Sequence, residues 1–129
     1  MKNSLKYCSV LLSLFLLAYM NSCVKEATKT APVVVISDPT NITNTSAVLA
    51  GEVMQDGGSD VTARGICWST SPHPTIEDSK TTEGEGLGIF NSTLTGLVSG
   101  QTYYVRAYAT NSAGTSYSSE VSFETLGTP

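Results

Sequence analysis

Thr102-Tyr-Tyr-Val-Arg-Ala-Tyr-Ala-Thr-Asn-Ser-Ala-Gly114 is the stretch on which the fold turns. Its residues alternate: Tyr103, Val105, Ala107 and Ala109 share one face, and Tyr104, Arg106, Tyr108 and Thr110 the other. A period of two with one apolar side marks a strand that buries one face; a helix would instead repeat its apolar positions every three to four residues. Asn111 and Gly114 end the run, since both tolerate turn conformations that bulkier side chains resist.

The same period recurs on either side. Pro32-Val-Val-Val-Ile-Ser37 reads as a first strand, closed by Asp38-Pro39. Ser46–Met54 reads as a second, with Ala47, Leu49, Gly51 and Val53 inward because Glu52 has the opposite parity. Gln55–Asp60 is a turn and Val61–Ser69 a third strand. Ser71-Pro-His-Pro-Thr75 is a rigid loop, because its two prolines fix φ and remove two donors. A short edge strand is expected around Lys80–Thr82, and another strand over Leu87–Leu94 with Phe90 and Leu94 inward. Ser116–Thr125 reads as the last, with Tyr117, Val121 and Phe123 inward. Short strands separated by turn signals predict an all-β chain: a seven-stranded antiparallel Greek-key β-sandwich with Leu49, Phe90, Leu94, Tyr103 and Phe123 dominating its core.

Leu97-Val-Ser-Gly-Gln-Thr-Tyr103, running on to Asn111 and Gly114, resembles the F strand of a fibronectin type III domain. The resemblance implies an immunoglobulin-like sandwich in which Leu97, Tyr103, Asn111 and Gly114 are structural, the Tyr103 hydroxyl bonding back to nearby backbone as a tyrosine corner. Together with Ser46-Ala-Val-Leu-Ala-Gly-Glu-Val53, Arg64-Gly-Ile-Cys-Trp-Ser69 and Pro74-Thr75, the pattern is similar to the fibronectin-like repeats of surface lipoproteins in Bacteroidetes-type bacteria. It covers Pro32–Leu126. One departure is the single Trp68, which lies on the third strand rather than the second. The resemblance implies a non-enzymatic spacer or interaction module with no cofactor. Leu126-Gly-Thr-Pro129 resembles a linker between repeats, which fits either a single-domain lipoprotein or the front of a longer adhesin or enzyme.

Ahead of the domain, Lys2 and Lys6 precede the apolar run Val10–Met20. A membrane-spanning helix needs about 17–25 apolar residues, so this run fits the core of a signal peptide instead. Met20-Asn-Ser-Cys23 resembles the lipobox of bacterial lipoproteins, which implies removal of residues 1–22 and acylation of Cys23 on its sulfur and its new amine. Each buried methylene contributes about 0.8 kcal/mol, so two or three acyl chains hold a protein on a membrane without a spanning helix. Residues 23–31 are then a lipidated tether, 32–126 the domain and 127–129 a linker-like tail. The expected address is the cell envelope, at the outer membrane and displayed on its surface.

Without residues 1–22 the chain keeps five basic and eleven acidic residues. That balance argues against nucleic acid, where affinity rests on clustered Lys and Arg. Cys8 leaves with the signal and Cys23 takes lipid, so Cys67 has no disulfide partner and reads as a small buried hydrophobe.

Candidate sites remain. If Arg64 and Arg106 both avoid the core, parity turns Ile66 and Trp68 outward beside Tyr104 and Tyr108. That would be an aromatic and arginine face able to stack on a glycan or to bind another surface protein. Cross-strand pairing explains the same residues structurally, and a bulge near Gly65 would turn Trp68 inward. Asp56, Asp60, Glu83 and Glu85 sit in glycine-rich turns but lack the spacing of a calcium loop. His73 is the only histidine and has no nucleophile or ligand cluster beside it in sequence, so neither a metal site nor a catalytic residue is expected. Asn41, Asn44 and Asn91 match the N-glycosylation pattern, incidental in a bacterial chain.

Overall fold

Two antiparallel sheets face each other in the computed structural model, which describes residues 28–128. The strands are β1 (Val33–Ile36), β2 (Ala47–Gln55), β3 (Ala63–Ser69), β4 (Ser79–Lys80), β5 (Gly88–Leu94), β6 (Thr102–Asn111), β7 (Gly114–Tyr117) and β8 (Val121–Glu124). One sheet has the order β1-β2-β5; the other has β4-β3-β6, with β7 and β8 both pairing β6. The chain crosses between the sheets from β2 to β3, from β4 to β5 and again from β5 to β6, as expected of a Greek-key sandwich. The expected signal segment and the expected lipidation residue Cys23 lie outside the described residues. No helix among those described is long and apolar enough to cross a membrane.

Alternation places the core. Ala47, Leu49, Gly51 and Val53 of β2 are buried, as are Phe90, Ser92 and Leu94 of β5 and Tyr103, Val105, Ala107 and Ala109 of β6. The fully buried Leu49, Ile66 and Leu94 each contribute roughly 1.5–3 kcal/mol through the area they remove from water. Tyr103 stacks on Phe123 at 5.9 Å between ring centroids, and its hydroxyl accepts a 2.8 Å hydrogen bond from the Val98 amide. Tyr103→Phe keeps the ring and removes that acceptor. The expected result is a loss of about 1 kcal/mol, read as a melting point roughly 4–8 °C lower.

The last strand departs from expectation. Ser116–Thr125 is not continuous but splits into β7 and β8, which makes eight segments in place of seven strands. The register advances by one residue between the pairs Tyr108↔Tyr117 and Val105↔Val121. The extra residue is a bulge, and it reverses the side-chain faces. Phe123 stays inward, whereas Tyr117 turns to the outer face opposite Tyr108. Buried Ser118 closes the gap, its hydroxyl accepting from the Ala107 amide at 2.9 Å.

The two ends of the sandwich differ. The chain enters at the pole carrying the turns 56–62, 81–87 and 112–113, where the Thr30 amide donates to the Gly57 carbonyl at 2.9 Å. It leaves at the opposite pole, where the Thr125 amide donates to Gln101 and the Leu126 amide to Thr43.

Candidate functional site

Strand β3 sets the geometry of every candidate surface, and its facing is the reverse of the one parity suggested. Trp68 pairs with Val105, Ile66 with Ala107 and Arg64 with Ala109, so all three share the inward face. The ladder from Ala63 to Ser69 runs without a bulge. What reverses the reading is Arg64, which occupies an inward position at the rim instead of avoiding it. Its guanidinium lies 5.2 Å over the Phe90 ring and donates to the carbonyls of Glu83 (2.9 Å), Gly86 (3.1 Å) and Leu87 (3.0 Å). Three carbonyl acceptors satisfy a cation that its alkyl stem carries across apolar surface.

The outer face of this sheet is covered by the chain's own strap, residues 71–82. Pro74, within the strap, is fully buried. Arg106 Nε donates to the Pro74 carbonyl at 2.9 Å, joined by Nη2, while the guanidinium stacks 4.2 Å over the Tyr117 ring. The Tyr117 hydroxyl accepts from the Ile76 amide at 3.1 Å, and the Tyr108 hydroxyl donates to the Thr81 carbonyl at 2.6 Å. Tyr108 is 2 % exposed, and its burial pushes the phenol pKa up. The expected open face of Trp68, Tyr104, Arg106 and Tyr108 is therefore not assembled. Trp68 points between the sheets, Tyr108 and Arg106 hold the strap, and only Tyr104, half-buried, remains on that face without such a role. Cys67 faces the strap opposite Arg106, is buried, and has its pKa pushed up to about 11 by that burial, partly opposed by Arg106.

Trp68 lines a different feature. At the chain's exit pole a cleft of about 310 Å³ opens between the strap and the β5–β6 connection. Its lining includes Trp68, Ser69, Thr70, Asp78, Ser79 and the Thr95–Leu97 turn. One Asp78 oxygen accepts from the Thr75 amide at 2.9 Å.

The remaining candidates are dispersed. Asp56, Asp60 and Glu85 border a shallow pocket of about 290 Å³ at the entry pole. Asp56 accepts from the Gly58 amide, and Glu83 turns away to accept from buried Ser92. No group of three or more metal-ligating side chains converges among the described residues. His73 is exposed at a positive φ of 63°, with its imidazole 3.6 Å from Glu120. Asn41 and Asn91 are exposed, and Asn44 is half-buried.

Asn111 is the best-satisfied polar residue of the entry pole. Its amide donates to the carbonyls of Thr30 and Asp56, each at 2.7 Å, and accepts from the amides of Ala113 (2.8 Å) and Gly114 (3.2 Å). It thus joins the incoming chain at Thr30, the β2–β3 turn and its own hairpin. Leu97 is buried in the core cluster at the exit pole, and Gly114 takes a positive φ of 148°. Sequence alternation had no means of revealing the strap; the only signals were its two prolines and the surplus aromatics of the outer face.

Among solved structures the chain is similar to the sensor domain of the anti-sigma factor RsgI4 in Pseudobacteroides cellulosolvens (TM-score 0.54, 18 % identity, 78 % of this chain and 100 % of that one). It is also similar to the sixth fibronectin type III domain of human fibronectin type III domain containing protein 3 (TM-score 0.53, 23 % identity, 82 % and 93 %). A third neighbour is a fibronectin type III domain derived from human KIAA0970 protein (TM-score 0.52, 17 % identity, 74 % and 74 %). At these identities the likeness is one of fold: an all-β sandwich of fibronectin type III and immunoglobulin-like type. No family model matches the chain, and no curated protein matches it significantly.

Proposed function

We propose that this chain is a non-enzymatic surface lipoprotein whose single sandwich serves as a spacer or interaction module on the cell envelope. The observation that carries the reading is the join between address and domain. Cys23 closes the export pattern, and only seven residues later Thr30 is fixed to the entry pole by Gly57 and Asn111. A lipid on Cys23 would hold the module directly above the bilayer, at the outer membrane and facing outward. Intact mass and membrane fractionation of the native protein test it. The expected product starts at Cys23, carries three acyl chains and sediments with membranes, and Cys23→Ala is soluble. An unmodified, soluble native product overturns the reading.

Glycan binding is a second reading, and the Trp68 cleft favours it over the face first expected. Its volume accommodates about one sugar ring, with an indole for stacking and hydroxyls and Asp78 at the rim. A glycan array on the full chain should then show binding that Trp68→Phe weakens and Asp78→Asn abolishes. No binding by the parent overturns this second reading.

A further inference from the structure

Seven large apolar side chains stand exposed among the described residues, and four of them share one surface. Ile89 (66 %), Leu87 (56 %), Met54 (52 %) and Val35 (44 %) lie on the outer side of the β1-β2-β5 sheet or at its rim. Strand parity puts them there. Val35 follows buried Val34, Met54 follows buried Val53, and Ile89 precedes buried Phe90. Register brings them together, since Val35 pairs with Glu52 and Glu52 with Ile89, while Val53 pairs with Gly88 between Met54 and Leu87. Small Ala50 leaves a groove of about 240 Å³ between Val35 and Ile89. Of the other three, Val33 lies beyond a register shift in β1 and pairs with Gln55, while Val98 and Leu126 belong to the exit pole.

This face begins where the tether arrives. Met54 is three residues from Gly57, the turn residue that holds Thr30. A seven-residue segment from Cys23 to Thr30 spans at most about 25 Å fully extended. A lipid at Cys23 therefore keeps the bilayer within reach of the patch at all times, the condition under which a weak second contact becomes effectively intramolecular. The composition is also short of what a tight protein interface uses. Protein interfaces draw their binding energy from Trp, Tyr and Arg anchors, and this face has none: its apolar residues are aliphatic and stand beside Glu52, Asn91 and Thr93.

We propose that the outer face of the β1-β2-β5 sheet rests in the interfacial layer of the membrane, so that the module lies on its side with the strap face toward solvent. The inference rests on the reading of Cys23 as the lipidated residue. The test uses the full acylated chain in phosphatidylethanolamine/phosphatidylglycerol vesicles. A nitroxide is attached at Ile89→Cys or Met54→Cys, with exposed Ser122→Cys on the other sheet as reference; buried Cys67 stays unlabelled. Positions 89 and 54 should be open to oxygen and shielded from a water-soluble nickel complex, giving an accessibility ratio several-fold above that at 122. Equal nickel access at all three sites in protein that floats with the vesicles overturns the seating and leaves the anchor intact. Shielding from both reagents that grows with protein density also overturns it, in favour of a second copy. Protein without acyl mass that fails to float overturns the anchor and the seating together.

Discussion

Gly65→Ala is expected to cost about 3 kcal/mol and to lower the melting temperature by roughly 10–20 °C. Gly65 sits mid-strand in β3 without a positive φ, so conformational freedom is not what it supplies. It supplies room. A Cβ there would stand 2.1 Å from the Thr81 carbonyl oxygen and 3.0 Å from the Tyr108 ring, which lies across the bare backbone to reach that same oxygen. The nearer obstacle is main chain and cannot rotate away. Relief requires the strap to lift, and lifting it strains three hydrogen bonds: Thr81 amide to Ile66 carbonyl (2.8 Å), Ile66 amide to Thr81 hydroxyl (3.1 Å) and Tyr108 hydroxyl to Thr81 carbonyl (2.6 Å). At about 1 kcal/mol each, these set the size of the effect. Thermal unfolding measures it, and hydrogen exchange at residues 79–83 shows whether the strap opens alone. Gly127→Ala, with open space around it, is the control and should stay within about 0.5 kcal/mol. A Gly65→Ala protein as stable as the parent would mean that the strap is not held as described.

Asn111→Ala is expected to cost about 2–3 kcal/mol. The residue is 5 % exposed and all four of its amide positions are used, so truncation strands two carbonyls and two amides at once. Water reaches some of them at the pole, which keeps the cost below the full sum of four buried deficits. Asn111→Asp separates geometry from charge. It preserves the shape and the acceptor side, but sets a carboxylate against the Thr30 and Asp56 oxygens. Burial against acceptors raises the carboxyl pKa in the folded state. The variant is therefore less stable than Asn111→Ala at neutral pH and recovers as the pH falls through the carboxylate range. Urea unfolding at neutral and acid pH reads the difference. Equal stabilities at both would remove the proposed contacts with Thr30 and Asp56.

The alternation of Tyr103 to Ala109 was legible because that strand buries one face against the core with no competing signal. Leu49, Phe90, Leu94 and Phe123 were legible for the same reason. β3 was not. Gly65, Ile66 and Cys67 are buried in succession because the strap covers the outer face as the second sheet covers the inner, and a strand covered on both sides loses its period. The rule that Arg shuns the interior then misled, since a rim position lets the guanidinium collect three carbonyls while its stem stays inside. Tyr117 failed for a different reason: a one-residue bulge is invisible to a fixed period of two. The aromatic face dissolved with these two errors, and the cleft that holds Trp68 depends on a loop whose path no periodicity encodes.

The entry of the chain at one pole and its exit at the other has a mechanical meaning. A pull between Thr30 and Thr125 runs along the strand axes, because β1 begins just after the first point and β8 ends just before the second. The ladders β1–β2 and β6–β8 are then loaded in shear, with their hydrogen bonds sharing the force, instead of being peeled one rung at a time. Drag on anything attached beyond Thr125 would reach an anchor through the stiffest direction of the sandwich, with Asn111 as the rivet at the loaded end.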